Sequence, residues 1–219
     1  MTDYIGGVDE DDPRLEAMAA EFEAECLAEE AAMTDADRKA RDQYFGVDAY
    51  EKLEIAFRSA CEKDPSMAIM ATHWHWAIAL DNTSFSITSD PKSEDKTFYF
   101  DPDKVREKTL EQLEVILRHE WAHVVLNHHE WTEKFIEARD NSETQKVWRL
   151  LTNVATDLEI NSMFSDLYEK SGLGEEALIP GKGDFAGCPM GLKAEDYANL
   201  IMASPELMAK MREFATWRR

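Results

Sequence analysis

Hydrophobic positions along the chain follow the helical period far more often than that of a strand. Between Pro13 and Met33 an Ala/Glu-rich stretch sets Leu15, Met18, Phe22, Cys26 and Leu27 roughly on one stripe, the pattern of an amphipathic helix after a polar start. A second helix is predicted from about Asp48 to Glu62, stopped by Asp64-Pro65. From Ser66 to Leu80 the periodicity is mixed and reads as a short helix turning into a strand. Asp81-Asn82 is a turn signal. The β-favouring runs Ser84–Thr88 and Thr97–Phe100, joined by a polar linker containing Pro91, read as a two-strand hairpin that ends at Asp101-Pro102.

The most helical part of the chain follows. Thr109 or Asp103 can cap a helix carrying Leu113, Ile116, Leu117, Val124 and Val125. Another helix covers about Glu143 to Tyr168 and is closed by Ser171-Gly172 with Gly174. Residues 173–192 are rich in Gly and Pro and read as loop. A last helical region starts near Lys193 or Ala194 and runs towards Arg219. The expected fold is α+β: mainly helical, with a small antiparallel sheet beside the helix of residues 109–125. The expected organisation is an acidic, partly helical extension over 1–40 and one domain over 41–219.

Charge changes the picture at the N-terminus. Of 45 acidic residues in the 219-residue chain, twelve fall within residues 1–35, which hold a single basic residue, Arg14. The net charge of −21 repels phosphate backbones and anionic membranes, so neither nucleic acid nor membrane is an expected partner, whereas a basic protein or peptide is. The three cysteines, Cys26, Cys61 and Cys188, are far apart and lack CxxC spacing, which fits a reducing, cytoplasmic location. The start has no basic and apolar signal segment, and the apolar run Met67–Leu80 is too short to span a bilayer.

The chemistry concentrates in His119-Glu120-Trp121-Ala122-His123. Four residues apart on a helix, His119 and His123 share one face and can ligate one tetrahedral ion. Glu120 then stands where a general base for an attacking water belongs. A third ligand is needed. His129 follows His123 by six residues, the spacing of HExxHxxGxxH, but Leu126 stands where that pattern has its turning glycine, and the apolar run suggests that the helix continues. On a continued helix His128 points elsewhere. Asp157 is better placed: Asn153, Asp157 and Asn161 recur at i, i+4 and i+8 as a polar stripe between Val154, Leu158 and Ile160, with the two asparagines as supporting partners. His129 remains the alternative, and Glu159 a further one. His73 and His75, two apart, share a face on a strand and could contact metal or substrate, but such residues are more often packed or surface histidines. Trp121 and Trp131 read as core or groove aromatics, and Tyr168 as an oxyanion donor supported only by its place on a helix.

Four segments, in order, resemble a known family, the metallopeptidase domain that precedes a von Willebrand factor A-like domain in many bacterial proteins and also occurs alone in phage genomes. They are FYFDPDKV (98–105, with Asp101 in place of the usual Asn), RHEWAHVVLNHHEW (118–131), NVATDLEIN (153–161) and GLGEEALIPGKGDFAGCPMGLKAEDYANLI (172–201). Together they cover about residues 75–202. The resemblance implies a zincin-like fold, a zinc peptidase activity and Asp157 as third ligand, in the host cytoplasm if the chain is phage-encoded. No von Willebrand A-like sequence follows up to Arg219, so a partner ATPase is doubtful. The function expected is zinc-dependent hydrolysis of peptide bonds, with His119, His123 and Asp157 as ligands and Glu120 as base. Two other readings stand beside it: a zinc-stabilised binding module without catalysis, and an acidic inhibitor or nucleic-acid mimic acting through its charge.

Overall fold

A computed structural model describes residues 47–70, 74–78, 85–89, 96–139 and 144–217. Contacts divide the chain into two compact units, Met1–Asp48 and Ala49–Arg219, and the second holds nearly all described residues. The expected helix over Pro13–Met33, the turn at Asp81-Asn82 and His73 lie outside them.

Helix α1 (Val47–Lys63) buries Ala49, Leu53, Ala56 and Ala60, a stripe that recurs every three or four residues. Pro65 opens the short helix α2 (Pro65–Met70), and the chain then enters strand β1 (Trp74–Ile78). Strands β2 (Phe85–Ser89) and β3 (Lys96–Phe100) pair antiparallel with Phe85 opposite Phe100, as the hairpin pattern predicts. The sheet nevertheless differs from the expected all-antiparallel one. Its order is β1-β3-β2, and β1 joins β3 in parallel, so the sheet is mixed. Pattern alone assigns no partner to the segment 66–80. What recruits it is aromatic packing: Trp76 meets Phe98 edge-on at 5.1 Å and Phe57 of α1 at 5.6 Å.

Beyond the sheet Thr109 is a cap as expected, whereas Asp103 lies inside a separate short helix that Asp101 caps instead. Asp101 caps α3 (Pro102–Glu107), accepting from Asp103 N, and Thr109 caps α4 (Leu110–Val125) through a reciprocal capping box with Gln112. Lys52 of α1 donates to the carbonyls of Val105 and Arg106 at 3.1 and 3.0 Å, placing a cation on the C-terminal end of α3. The chain continues through α5 (His128–Glu137), α6 (Gln145–Met163), α7 (Ser165–Ser171), α8 (Ala194–Ala203) and α9 (Pro205–Trp217). The helix expected from Glu143 to Tyr168 is therefore two, because Phe164 leaves helical geometry at φ −109° and ψ 16°. The last helix is divided as well, at Ser204-Pro205, where an extended pre-proline residue and a missing N–H interrupt the ladder.

Three apolar clusters hold these elements. One joins α1, the sheet and α4 around Leu53, Phe98, Phe100, Leu113 and Leu117. A second joins α5, α6, α8 and α9 around Leu151, Leu158, Tyr197 and Ile201. A smaller third, Val115, Tyr168, Leu173 and Ile179, lies where α4, α7 and the loop after α7 meet. Helix α4 therefore belongs to the first core and α6 to the second, and their facing sides form a seam. No described helix is long and apolar enough to cross a membrane.

Removing the α4 cap has a defined cost. Thr109→Ala leaves Gln112 N without its side-chain acceptor, and a lower urea midpoint corresponding to about 1 kcal/mol is expected.

Candidate metal centre

The seam between α4 and α6 brings His119, His123 and Asp157 to one point. Both imidazoles project from α4 one turn apart, and Asp157 faces them from α6. His119 Nε2 and His123 Nε2 are 3.0 Å apart, and Asp157 Oδ1 lies 3.5 and 3.3 Å from them. A circle through these atoms has a radius of about 1.9 Å, slightly less than the bond of about 2.0–2.1 Å that an N/O-ligated zinc ion requires. Three lone-pair atoms this close, in this chemistry, fit a divalent cation with a further position open.

The outward sides of both imidazoles are occupied. Asn161 Nδ2 donates to the Leu178 carbonyl at 3.0 Å, which turns its Oδ1 towards His119 Nδ1, also 3.0 Å away. An amide oxygen only accepts, so His119 Nδ1 carries a proton, and with a cation bound in the cluster Nε2 would be the atom that offers it a lone pair. The Tyr168 hydroxyl lies 2.7 Å from the same Nδ1. Asn153 Nδ2 approaches the second Asp157 oxygen at 3.5 Å. Behind His123 stands His128, with the two Nδ1 atoms 3.1 Å apart, and His128 Nε2 is 3.2 Å from Glu159 Oε2.

That last contact corrects the expectation that α4 continues through residue 128. The helix ends at Val125, and Asn127 adopts the left-handed conformation at φ 55° and ψ 38°. Asparagine is among the few non-glycine residues that enter this region readily. The glycine missing at position 126 is therefore replaced in effect by Asn127. The turn folds His128 back behind His123, where it is almost fully buried. It does not bring His129 into the cluster: the His129 ring centre is 6.5 Å from that of His123. His129 Nε2 is buried and has no hydrogen-bond partner among the described residues.

Electrostatics follow the same geometry. Burial pushes the Asp157 carboxyl up, but hydrogen bonds and charge attraction from His119 and His123 outweigh it and hold it at about 2. Burial lowers the His123 pKa to about 4, aided by the neighbouring histidines, and so keeps this imidazole neutral. His119 is raised: burial disfavours its charge, but the hydrogen bond and charge of Asp157 prevail. Glu120 is buried beside them and accepts a hydrogen bond from the Ile87 amide of β2. Burial is the main reason its carboxyl rises to about 7, with Asp157 adding to the rise and His119 opposing it. Burial, with Asp157 and Glu120, pushes the Tyr168 phenol up.

The cluster lies between two clefts. One, of about 720 Å³, is floored by His119, Glu120 and Asp157 and walled by Phe85, Ile116 and Leu178. The other, of about 1030 Å³, reaches His123 and is lined by charged residues of α5 and by His129. Of the remaining sequence candidates, Trp121 belongs to the first core, Trp131 packs against the second, and His75 is exposed on β1 away from the cluster. Tyr168, expected as an oxyanion donor, lines the same cleft as Glu120, and its hydroxyl contacts His119 Nδ1. No family model, curated protein or solved structure matches the chain.

Asn127 offers a local test of how the site is built. Asn127→Gly should leave stability within about 0.5 kcal/mol, whereas Asn127→Val should cost about 1–2 kcal/mol for a β-branched residue at positive φ. Urea denaturation of both variants measures the difference.

Proposed function

We propose that the chain is a zinc-dependent metallopeptidase in which His119, His123 and Asp157 hold the ion and Glu120 is the general base. The observation that carries this reading is the convergence of those three ligand atoms beside a buried carboxylate at the floor of an open cleft. A zinc ion there supplies Lewis acidity, lowering the pKa of water to about 7 and polarising a peptide carbonyl.

The residues of the chain perform the remainder. Glu120 takes the proton from the attacking water and delivers it to the departing amine nitrogen, so the peptide C–N bond breaks as the new C–O bond is completed. The Ile87 amide fixes the carboxylate from behind and ties it to β2. Since β2 is an outer strand in the sheet order and Phe85 lines the cleft, an extended substrate segment has a strand to pair with beside the base. This favours an unstructured protein or peptide as substrate.

Metal analysis and cleavage assays on the purified chain test the proposal. The wild type is expected to bind one equivalent of zinc and to cleave an unstructured protein mixture. His123→Ala is expected to lose the metal, and full zinc retention in that variant rejects the ligand assignment. Glu120→Gln is expected to keep the metal and lose at least about 100-fold in rate, the lower range for a positioned acid–base group. Unchanged cleavage by that variant rejects the mechanism, and zinc without cleavage in the wild type favours a binding module.

A further inference from the structure

The feature that the proposed mechanism does not use is the row of buried polar groups behind His123. From the cluster outward it runs His123, His128, Glu159 and the Ala194 amide, and so crosses from α4 through the first residue of α5 to α6 and the start of α8. His128 is 4% exposed, a level at which a polar ring needs partners on both nitrogens.

With uncharged imidazoles the hydrogen-bond donors and acceptors along this row admit one assignment, whereas an imidazolium at His128 would reverse its bond to His123. Glu159 Oε2 accepts from the Ala194 amide at 2.7 Å. A carboxylate only accepts, so the partner atom His128 Nε2, 3.2 Å away, is the donor. A neutral His128 then has a lone pair on Nδ1, and the atom facing it at 3.1 Å, His123 Nδ1, donates to it. That leaves the lone pair of His123 on Nε2, the atom that faces His119 Nε2 and Asp157 Oδ1.

We infer that His128 and Glu159 are positioning residues that set the tautomer and basicity of His123 through an imidazole–imidazole–carboxylate relay, and that they determine how tightly the centre holds its metal. The inference rests on the metal reading of the cluster and goes beyond it by assigning work to two residues that do not line the cleft of Glu120. Metal-ligating histidines usually pass their second N–H directly to a carboxylate or carbonyl; here an imidazole is interposed and the carboxylate sits one residue further back. Glu159 reaches the row because it is two residues after Asp157 on α6, so one helix supplies both the ligand-type carboxylate and the carboxylate behind the opposite imidazole.

The test is zinc affinity, measured by competition with a chromophoric chelator on the full chain, together with the visible spectrum of the cobalt-substituted protein. His128→Leu and Glu159→Gln are expected to weaken zinc binding about 10–100-fold, the range for losing an outer partner of a metal ligand, and to alter the cobalt bands. His128→Gln, whose amide oxygen can accept from His123 Nδ1, is expected to recover most of the affinity. A purely structural role would lower the melting temperature of the metal-free variants without moving the affinity or the spectrum. Wild-type affinity in both His128→Leu and Glu159→Gln overturns the relay while leaving the metal centre intact. Failure of the wild type to bind zinc overturns the metal reading and the relay with it. Should a variant not fold, long-range nitrogen–proton NMR on the zinc-loaded wild type decides instead. Protons on His123 Nδ1 and His128 Nε2 support the relay, and a proton on His128 Nδ1 overturns it.

Discussion

Three ligand-type atoms held within 3.5 Å of one another in a part-buried seam are the constraint on which the architecture depends. Left to themselves, two imidazoles and a carboxylate prefer water to such an arrangement, because burying polar groups without compensation costs several kcal/mol. The seam persists because each side belongs to a different apolar core: α4 is anchored by Leu113 and Leu117 in one, α6 by Leu151 and Leu158 in the other. Apolar burial fixes the helices, and the polar residues on the facing sides meet wherever the backbones put them. The compensation then falls to hydrogen bonds, and nearly every buried polar atom near the cluster has one.

Those hydrogen bonds are supplied by pieces of chain that contribute nothing else to the site. The loop after α7 offers the Leu178 carbonyl that orients Asn161, and the start of α8 offers the Ala194 amide that holds Glu159. The Gly/Pro-rich segment 173–192 thus reads differently once its contacts are known. Leu173 and Ile179 are buried in the third core and pin the loop against Tyr168, so the carbonyl that it presents is fixed. A segment whose regular structure is one 3-10 turn, Gly183–Phe185, is anchored by two apolar side chains. The chain has invested structure behind the imidazoles as well as in front of them.

What could be read from the sequence is what a short-range period dictates. His119 and His123 share a face because four residues make one helical turn, and the stripe Asn153, Asp157, Asn161 shares one for the same reason, so both halves of the cluster were visible before any fold. Core positions such as Leu113, Leu117 and Leu158 follow the same logic. The role of His128 was hidden because it depends on one backbone angle: at helical φ the ring would project away from His123, and only the left-handed turn at Asn127 reverses it. The pairing of β1 was hidden for a related reason, since a parallel neighbour is chosen by packing of Trp76 against Phe98 across chain segments that are distant in sequence. Glu159 could be noticed as a carboxylate near the right place, but its partner lay behind that unpredicted turn.

The asymmetry between the two imidazoles has a physical consequence for the centre as a whole. His119 is backed by a neutral amide and a phenol, whereas His123 is backed by a second imidazole and, through it, a carboxylate. Negative charge behind a ligand raises its electron-donating strength, while a neutral amide mainly fixes its direction. An ion bound between them would therefore find a stronger donor in His123 and a more rigidly aimed one in His119, with Asp157 supplying the charge. Glu120 stands on the side of His119 and Asp157, in the cleft that His123 does not line. The charged support thus lies away from the cleft that Glu120 lines and adds no further anion beside that carboxyl.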